Sequence, residues 1–136
     1  LGQSIASAGP VSERPKIILT ADSNGHFITT GQMNGGTTTF LVDTGATTIA
    51  MSKAEAKRLG ISYINGRRGV SNTANGQVMY YSIKLDTVKV GDVTLHQIDA
   101  AAIDGGGMDI TLLGMSFLNR LEMKRAGSTL TLTKAF

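Results

Sequence analysis

The chain has 136 residues, no cysteine and a formal charge of +3, with 41% hydrophobic and 17% charged residues. That length and balance fit one globular domain able to bury a core without staples, and exclude a disordered chain, disulfides, thiol catalysis and cysteine-metal sites. Nucleic acid is a poor fit as a partner, because no basic cluster exceeds Arg67-Arg68 or Lys124-Arg125 and aromatics make up 5%.

Leu1 to Arg14 is small, polar and Pro-containing, and predicts a flexible tail or linker over 1–15, followed by one domain over 16–136. The opening on Leu1 rather than Met reads as a fragment or a processed form. Lys16 to Thr20 is the first expected strand. Asp22-Ser23-Asn24-Gly25 then predicts a hairpin turn, since Asn-Gly tolerates positive φ, with His26 to Met33 as the return strand. Asn34-Gly35-Gly36 turns the chain again into Thr37 to Val42, which runs straight to Asp43.

Ser52 to Gly60 predicts a short helix, with Ser52 and Glu55 spaced as a capping box and Gly60 as the stop. Arg67 to Tyr81 carries a second hairpin signal at Asn75-Gly76. Ile83, Leu85, Val88 and Val90 supply a strand, Gly91-Asp92 a turn, and Val93 to Ile103 the next strand. Asp104 to Gly107 is a loop, Leu112-Leu113-Gly114 leads into a second helix around Ser116 to Leu121, and Ser128 to Thr133 alternates as the last strand. With 17 glycines this is an all-β pattern with one or two short helices. The order apolar strand, glycine turn, short helix occurs around Val42 to Leu59 and again around Leu112 to Leu121, compatible with two similar halves about a pseudo-two-fold axis.

Asp43 is the acid with chemical promise. An apolar run, Phe40-Leu41-Val42, delivers it onto the tight turn Thr44-Gly45-Ala46. One reading is an ordinary turn, where Asp and Gly are standard residues. The other is half of a carboxylate pair, in which two acids share a proton and activate a water. In that reading Gly45 permits a close turn and the Thr44 hydroxyl bonds to backbone to lock the loop. The partner acid then comes from a second copy of the chain.

Other groups read as bland. Asp99, Asp104 and Asp109 are expected to be solvated loop acids, since their spacing does not fit an EF-hand. His26 and His96 are far apart and carry no ligand spacing, so no metal is expected. The glycines at 105–107 lack the lysine of a phosphate loop. No run approaches the length of a membrane span. Val78, Ile110 and Leu112 are pocket candidates, each as readily read as core.

Leu41-Val42-Asp43-Thr44-Gly45-Ala46 resembles the active-site loop of the retropepsin-like aspartic proteases, in particular their bacterial single-domain branch. Thr73-Ala74-Asn75-Gly76-Gln77 resembles the tip of that family's flap, and Leu112 to Leu118 its second hydrophobic-Gly turn and helix. The match runs from about residue 16 to residue 133.

The resemblance implies a closed retropepsin-like β-barrel, the acid protease fold, working as a homodimer without cofactor or metal. It implies hydrolysis of peptide bonds by a water held between two Asp43 carboxylates, with Thr44, Gly45 and Ala46 supporting the loop. Thr47, Thr73, Ala74, Asn75, Gly76 and Gln77 would contact an extended protein or peptide substrate. It further implies a periplasmic domain tethered to the inner membrane through an upstream segment, with no membrane contact within this fragment.

Three positions depart from viral members, which follow the Gly-Ala with two acids and place an Arg after the second Gly turn. Here those places hold Thr47-Thr48 and Met115. The alternative to an enzyme is a retropepsin-fold module that dimerises or binds peptide without cutting.

Overall fold

Strands dominate because buried and exposed side chains alternate along most of the chain, the period of a pleated ribbon. The computed structural model describes residues 14–74, 76–105 and 107–135. The expected tail over residues 1–13 and the expected flap residue Asn75 lie outside the described residues. The elements are β1 (Lys16–Thr20), β2 (Ile28–Met33), β3 (Gly36–Val42), β4 (Ile49–Ser52), α1 (Lys53–Arg58) and β5 (Arg67–Thr73). They continue with β6 (Gly76–Val90), β7 (Val93–Asp104), β8 (Thr111–Leu113), α2 (Met115–Leu118), β9 (Leu121–Ala126) and β10 (Thr129–Lys134).

Six strands close into a barrel in the order β2-β3-β8-β4-β7-β6, with β6 returning to β2 through Gln32↔Lys89 and Met33↔Val88. Among the described residues β5 is attached to the barrel only through β6, so these two strands project as a hairpin with Thr73 opposite Gly76. A separate sheet, β1-β10-β9, buries Ile17 and Leu19 of β1 beside Leu130 and Leu132 of β10. The barrel core holds Met33, Phe40, Ile49, Met51, Leu85 and Ile98, all with no exposed surface. Each such side chain contributes about 2 kcal/mol through the area it removes from water.

The turn Asn34-Gly35 is a hairpin turn, with φ of 50° and 85° between the paired Met33 and Gly36. Those two positive values match the right-handed twist of the flanking strands. The same signal at Asp22 to Gly25 does something else. Asp22 Oδ1 accepts the N–H groups of Asn24 and His26 at 2.9 Å, and the turn forms. Its flanking strands do not pair, however: β1 joins β10 and β2 joins β3. The expected hairpin is a corner between two sheets, because β1 finds its apolar complement in the Leu130–Leu132 alternation at the far end of the chain.

β6 and β7 contain a second corner. Buried residues run Leu85 then Val88 on β6, and Leu95 then Ile98 on β7, so alternation slips by one in both strands at the same level. Gln97 there has φ of 56° and stands outside the otherwise continuous register. The backbone groups released by this break are taken up from two sides. Asn34 Oδ1 accepts the N–H groups of Asp86 and Thr87 at 2.8 and 3.2 Å, and Arg120 donates to the carbonyls of His96 and Gln97 at 2.8 and 3.0 Å. Beyond the corner, β6 is directed back to β2 and closes the barrel.

The helices are shorter than expected at one end. α1 begins at Ser52, whose Oγ accepts the Glu55 N–H at 3.0 Å, and it ends before Gly60 at φ of 70°. The Glu55 carboxylate does not complete a capping box, for it turns to Thr38 and Arg58 instead. α2 stops at Leu118, and Leu121 opens β9 rather than closing the helix. β9 carries no alternation after Leu121, since residues 122–126 are all exposed; among the described residues its pairing with β10 alone makes it a strand. β4 also escaped the sequence reading, as only four residues long.

Candidate active site

Asp43 follows directly from β3, whose Thr38 and Phe40 point into the core and fix its base. The carboxylate is half-buried, and the Asp43 N–H donates to the Leu113 carbonyl at 3.1 Å. Its own carbonyl accepts the Ala46 N–H at 3.1 Å, closing a turn. Asp43 Oδ1 accepts the Gly45 N–H at 2.9 Å, and a Cβ on Gly45 would lie 3.2 Å from that same oxygen. Glycine therefore lets the backbone amide approach the acid closely and orient it.

The second glycine turn crosses over the first. Met115 and Ser116, at the start of α2, donate their N–H groups to the carbonyls of Ala46 and Thr47 at 2.8 and 3.0 Å. Gly114 makes this crossing possible, since a Cβ there would stand 2.7 Å from the Ala46 carbonyl and closer still to that of Thr48. Ser116 Oγ adds two further ties, donating to the Asp99 carbonyl at 2.7 Å and accepting the Ile49 N–H at 3.1 Å. The loop bearing Asp43 is thus held by β8, α2, β4 and β7 together. The two similar segments seen in the sequence meet here, with β3 and β8 parallel and Val42 beside Leu113.

Thr44 does not lock the loop as expected. It is exposed, and its hydroxyl has no hydrogen bond among the described residues; backbone groups and the Ser116 hydroxyl make the clamp. Met115, in the place of the viral Arg, is partly buried and packs on the core. A threonine pair and a methionine leave no unpaired charge at that crossing.

A cleft of about 560 Å³ opens beside the loop. One wall is Ala46, Thr47, Thr48 and Ala50, just downstream of Asp43. β7, paired beside β4, contributes Asp99, Ala101 and Ile103, and beyond it the β5–β6 hairpin contributes Ser71, Tyr80 and Ser82. The Tyr80 ring lies over its cross-strand neighbour Gly69, where an added Cβ would stand 2.5 Å from it.

The structure therefore brings Ala46 and Thr47 together with the base of the hairpin. It does not bring the expected flap residues Ala74, Gly76 and Gln77 to this cleft; they are exposed at the hairpin's end. Val78, Ile110 and Leu112 are half-buried and line none of it. Ser71, Tyr80 and Asp99 were missed. Outward positions on β6 and β7 become a wall only once β4 is laid beside β7, a pairing with no local signal. Asp99 and Asp104 are strand residues rather than loop acids, ion-paired with Lys84 at 3.2 Å and Lys53 at 3.4 Å.

A second polar cluster lies behind the loop. Thr38, buried on β3, donates to Glu55 Oε2 at 2.5 Å, and Arg58 grips both carboxylate oxygens at 2.8 and 2.7 Å. The Arg58 guanidinium holds the Glu55 carboxyl below the usual carboxylate range, with the Thr38 hydrogen bond assisting and partial burial opposing. Among the described residues no group of His, Asp and Glu is arranged to hold a metal ion, and no helix is long and apolar enough to cross a membrane.

A closed six-strand barrel whose two glycine turns cross beneath a lone acid defines the retropepsin architecture. Comparison with known proteins agrees. The family described as "gag-polyprotein putative aspartyl protease" matches residues 29–120, and the chain belongs to the retropepsin-like aspartic protease family. A retropepsin-like aspartic protease from Rickettsia conorii superposes with a TM-score of 0.74 at 33% identity, covering 88% of this chain and 90% of that one. The EIAV protease, in complex with the inhibitor HBY-793, shares the fold at a TM-score of 0.56 and 22% identity, over 74% of this chain and 92% of its own.

Two curated relatives are also similar. An uncharacterized protein from the cobV 5′ region of a Sinorhizobium species is 38% identical over 109 residues, 79% of this chain and 47% of its own length. An uncharacterized Rickettsia prowazekii protein is 34% identical over 113 residues, 82% of this chain and 48% of its own length. The chain thus spans about half the length of these curated relatives.

Proposed function

We propose that this chain is one half of a homodimeric aspartic endopeptidase, in which Asp43 of each copy supplies one carboxylate of the catalytic pair. The observation that carries this reading is the Asp43 loop itself. A half-buried acid is oriented by the Gly45 amide and clamped by the crossing Gly114 turn, with no second carboxylate hydrogen-bonded to it among the described residues. The exposed Thr44 beside it, whose hydroxyl has no hydrogen bond among the described residues, suits a loop that faces a second copy.

Two carboxylates within hydrogen-bond reach share one proton. The ionised member removes a proton from a water bound between them, and the water oxygen attacks the peptide carbonyl. The protonated member gives its proton to the carbonyl oxygen, forming a tetrahedral diol. Collapse of the diol breaks the C–N bond as the amine takes up a proton. The pair titrates as a unit. The substrate lies extended, bonded through its backbone between the β5–β6 hairpin and the Ala46–Thr48 edge, and the hairpin acts as a cover that excludes water. We further propose a periplasmic location, through an anchor upstream of this chain; cell fractionation of the full-length protein tests it.

The central test is cleavage of a diverse peptide mixture at mildly acidic pH, read by mass spectrometry, for the wild type and Asp43→Asn. The expected result is cutting by the wild type and a loss of at least about 100-fold in kcat for the variant. Sedimentation of the active preparation is expected to give a dimer. Equal cutting by both proteins, or activity from a strict monomer, overturns the reading. A wild-type dimer that binds peptides and cuts none would instead be a peptide-binding module.

A further inference from the structure

Among the described residues the cleft has one carboxylate in its lining, and it does not come from the Asp43 loop. On the outward face of β6 and β7, three cross-strand pairs follow one another: Tyr80↔Ile103, Ser82↔Ala101 and Lys84↔Asp99. The first is large and largely apolar, the second small, the third charged. Asp99 and Ile103 are about 13 Å apart along the strand at 3.3 Å per residue. The acid is therefore confined to one end of the cleft. The adjoining stretch Ala46, Thr47, Thr48 and Ala50, with Ala50 paired beside Ala101, is uncharged and short, leaving room for a long side chain.

We infer that Asp99 is a selectivity residue, which draws a cationic side chain of the substrate, arginine above all, into that end of the cleft. The inference deepens the endopeptidase reading and rests on it for the identity of the ligand. Asp99 is fixed relative to the Asp43 loop, because Ser116 bonds both the Asp99 carbonyl and the Thr47 carbonyl. A basic residue held there would stand at one defined distance along the peptide from the reacting bond.

The resident partner does not block the acid. Lys84 reaches Asp99 at 3.2 Å, but the two side chains are 57% and 64% exposed. Ion pairs so open to water contribute little and exchange readily. A guanidinium, which can bond both oxygens of a carboxylate at once, displaces a single ammonium on geometry.

The test uses the full chain carrying Asp43→Asn and fluorescent peptides that differ at one position at a time. Each position is occupied by arginine or by citrulline, its neutral near-isostere, and binding is read by anisotropy. Arginine is expected to bind about two- to fivefold tighter at one position only. Adding Asp99→Asn should bring that ratio to one, Asp99→Lys should favour glutamate over glutamine there, and Lys84→Met should raise the arginine preference. A ratio of one at every position, a preference that survives Asp99→Asn, or no peptide binding at all overturns the inference. Cutting by the wild type without any arginine preference removes the role of Asp99 and leaves the endopeptidase standing. A preference that depends on Asp99 in a protein that never cuts does the reverse.

Discussion

Arg120 donates to the Gln97 carbonyl at 3.0 Å, at the level where the β6–β7 ladder breaks and Gln97 takes a φ of 56°. On the opposite side Asn34 accepts the Asp86 N–H at 2.8 Å. Two side chains from distant elements thus occupy the backbone groups that the corner sets free. The barrel closes only because β6 changes direction here and reaches β2.

This corner separates two left-handed residues that look alike. Gln97 is exposed and its side chain makes no hydrogen bond among the described residues, so Gln97→Gly should stabilise by about 0.5–1 kcal/mol through relief of the positive φ. Asn34 also has a positive φ of 50°, but its side chain accepts two backbone N–H groups. Asn34→Gly should therefore destabilise by about 1 kcal/mol. Urea denaturation of both variants checks the opposite signs; equal effects would refute the account of the corner.

Gly114→Ala should cost about 3 kcal/mol, because the added methyl meets the carbonyls of Ala46 and Thr48, which are backbone and held from several sides. Gly105→Ala is not an equivalent control, as its φ of 93° strains any side chain, whereas Gly114 has an ordinary negative φ and is limited by space alone. Equilibrium unfolding measures the difference. A cost below about 0.5 kcal/mol would mean that the two loops part freely.

Glu55 gives a pH dependence of known sign. Its folded-state carboxyl is held below the ordinary value by Arg58. A depressed value adds stability above the unfolded value, about 4.3, and that stability is lost as pH falls through the folded value. The melting temperature of Glu55→Gln should lie below that of the wild type at neutral pH, and the gap should narrow steadily below about pH 4.3. A gap that stays constant from neutral to strongly acidic pH would show that the Arg58–Glu55 pair is energetically silent.

Gly69→Val should move the Tyr80 ring, which now lies where the new side chain must go. Because Tyr80 forms a wall of the cleft, binding of a model peptide should weaken about fivefold, while stability falls by only about 1 kcal/mol. Isothermal titration and urea unfolding of the same preparation separate the two effects. Unchanged affinity with a displaced ring would take Tyr80 out of the binding surface.

Local chemistry was enough for several elements. Asn34-Gly35 specifies a hairpin, Ser52 caps α1 within three residues, and Phe40-Leu41-Val42 runs into the Asp43 turn; each depends on neighbours in the chain. The motif around Asp43, with the Gly114 segment downstream, also carries the family. Long-range packing was needed for everything those segments meet. The same Asn-Gly signal gave a hairpin at one place and a sheet-to-sheet corner at another, because strand pairing depends on a complementary apolar edge and not on the turn. β9 is a strand by virtue of β10 alone, and Asp99 reads as an unremarkable acid until β4 lies alongside β7 and makes a cleft of its outer face. An acid on a tight turn could be read from the residues in order. Its orientation by Gly45, its clamp at Gly114 and the charged end of the cleft beside it come from contacts between residues far apart in the chain, which no local pattern encodes.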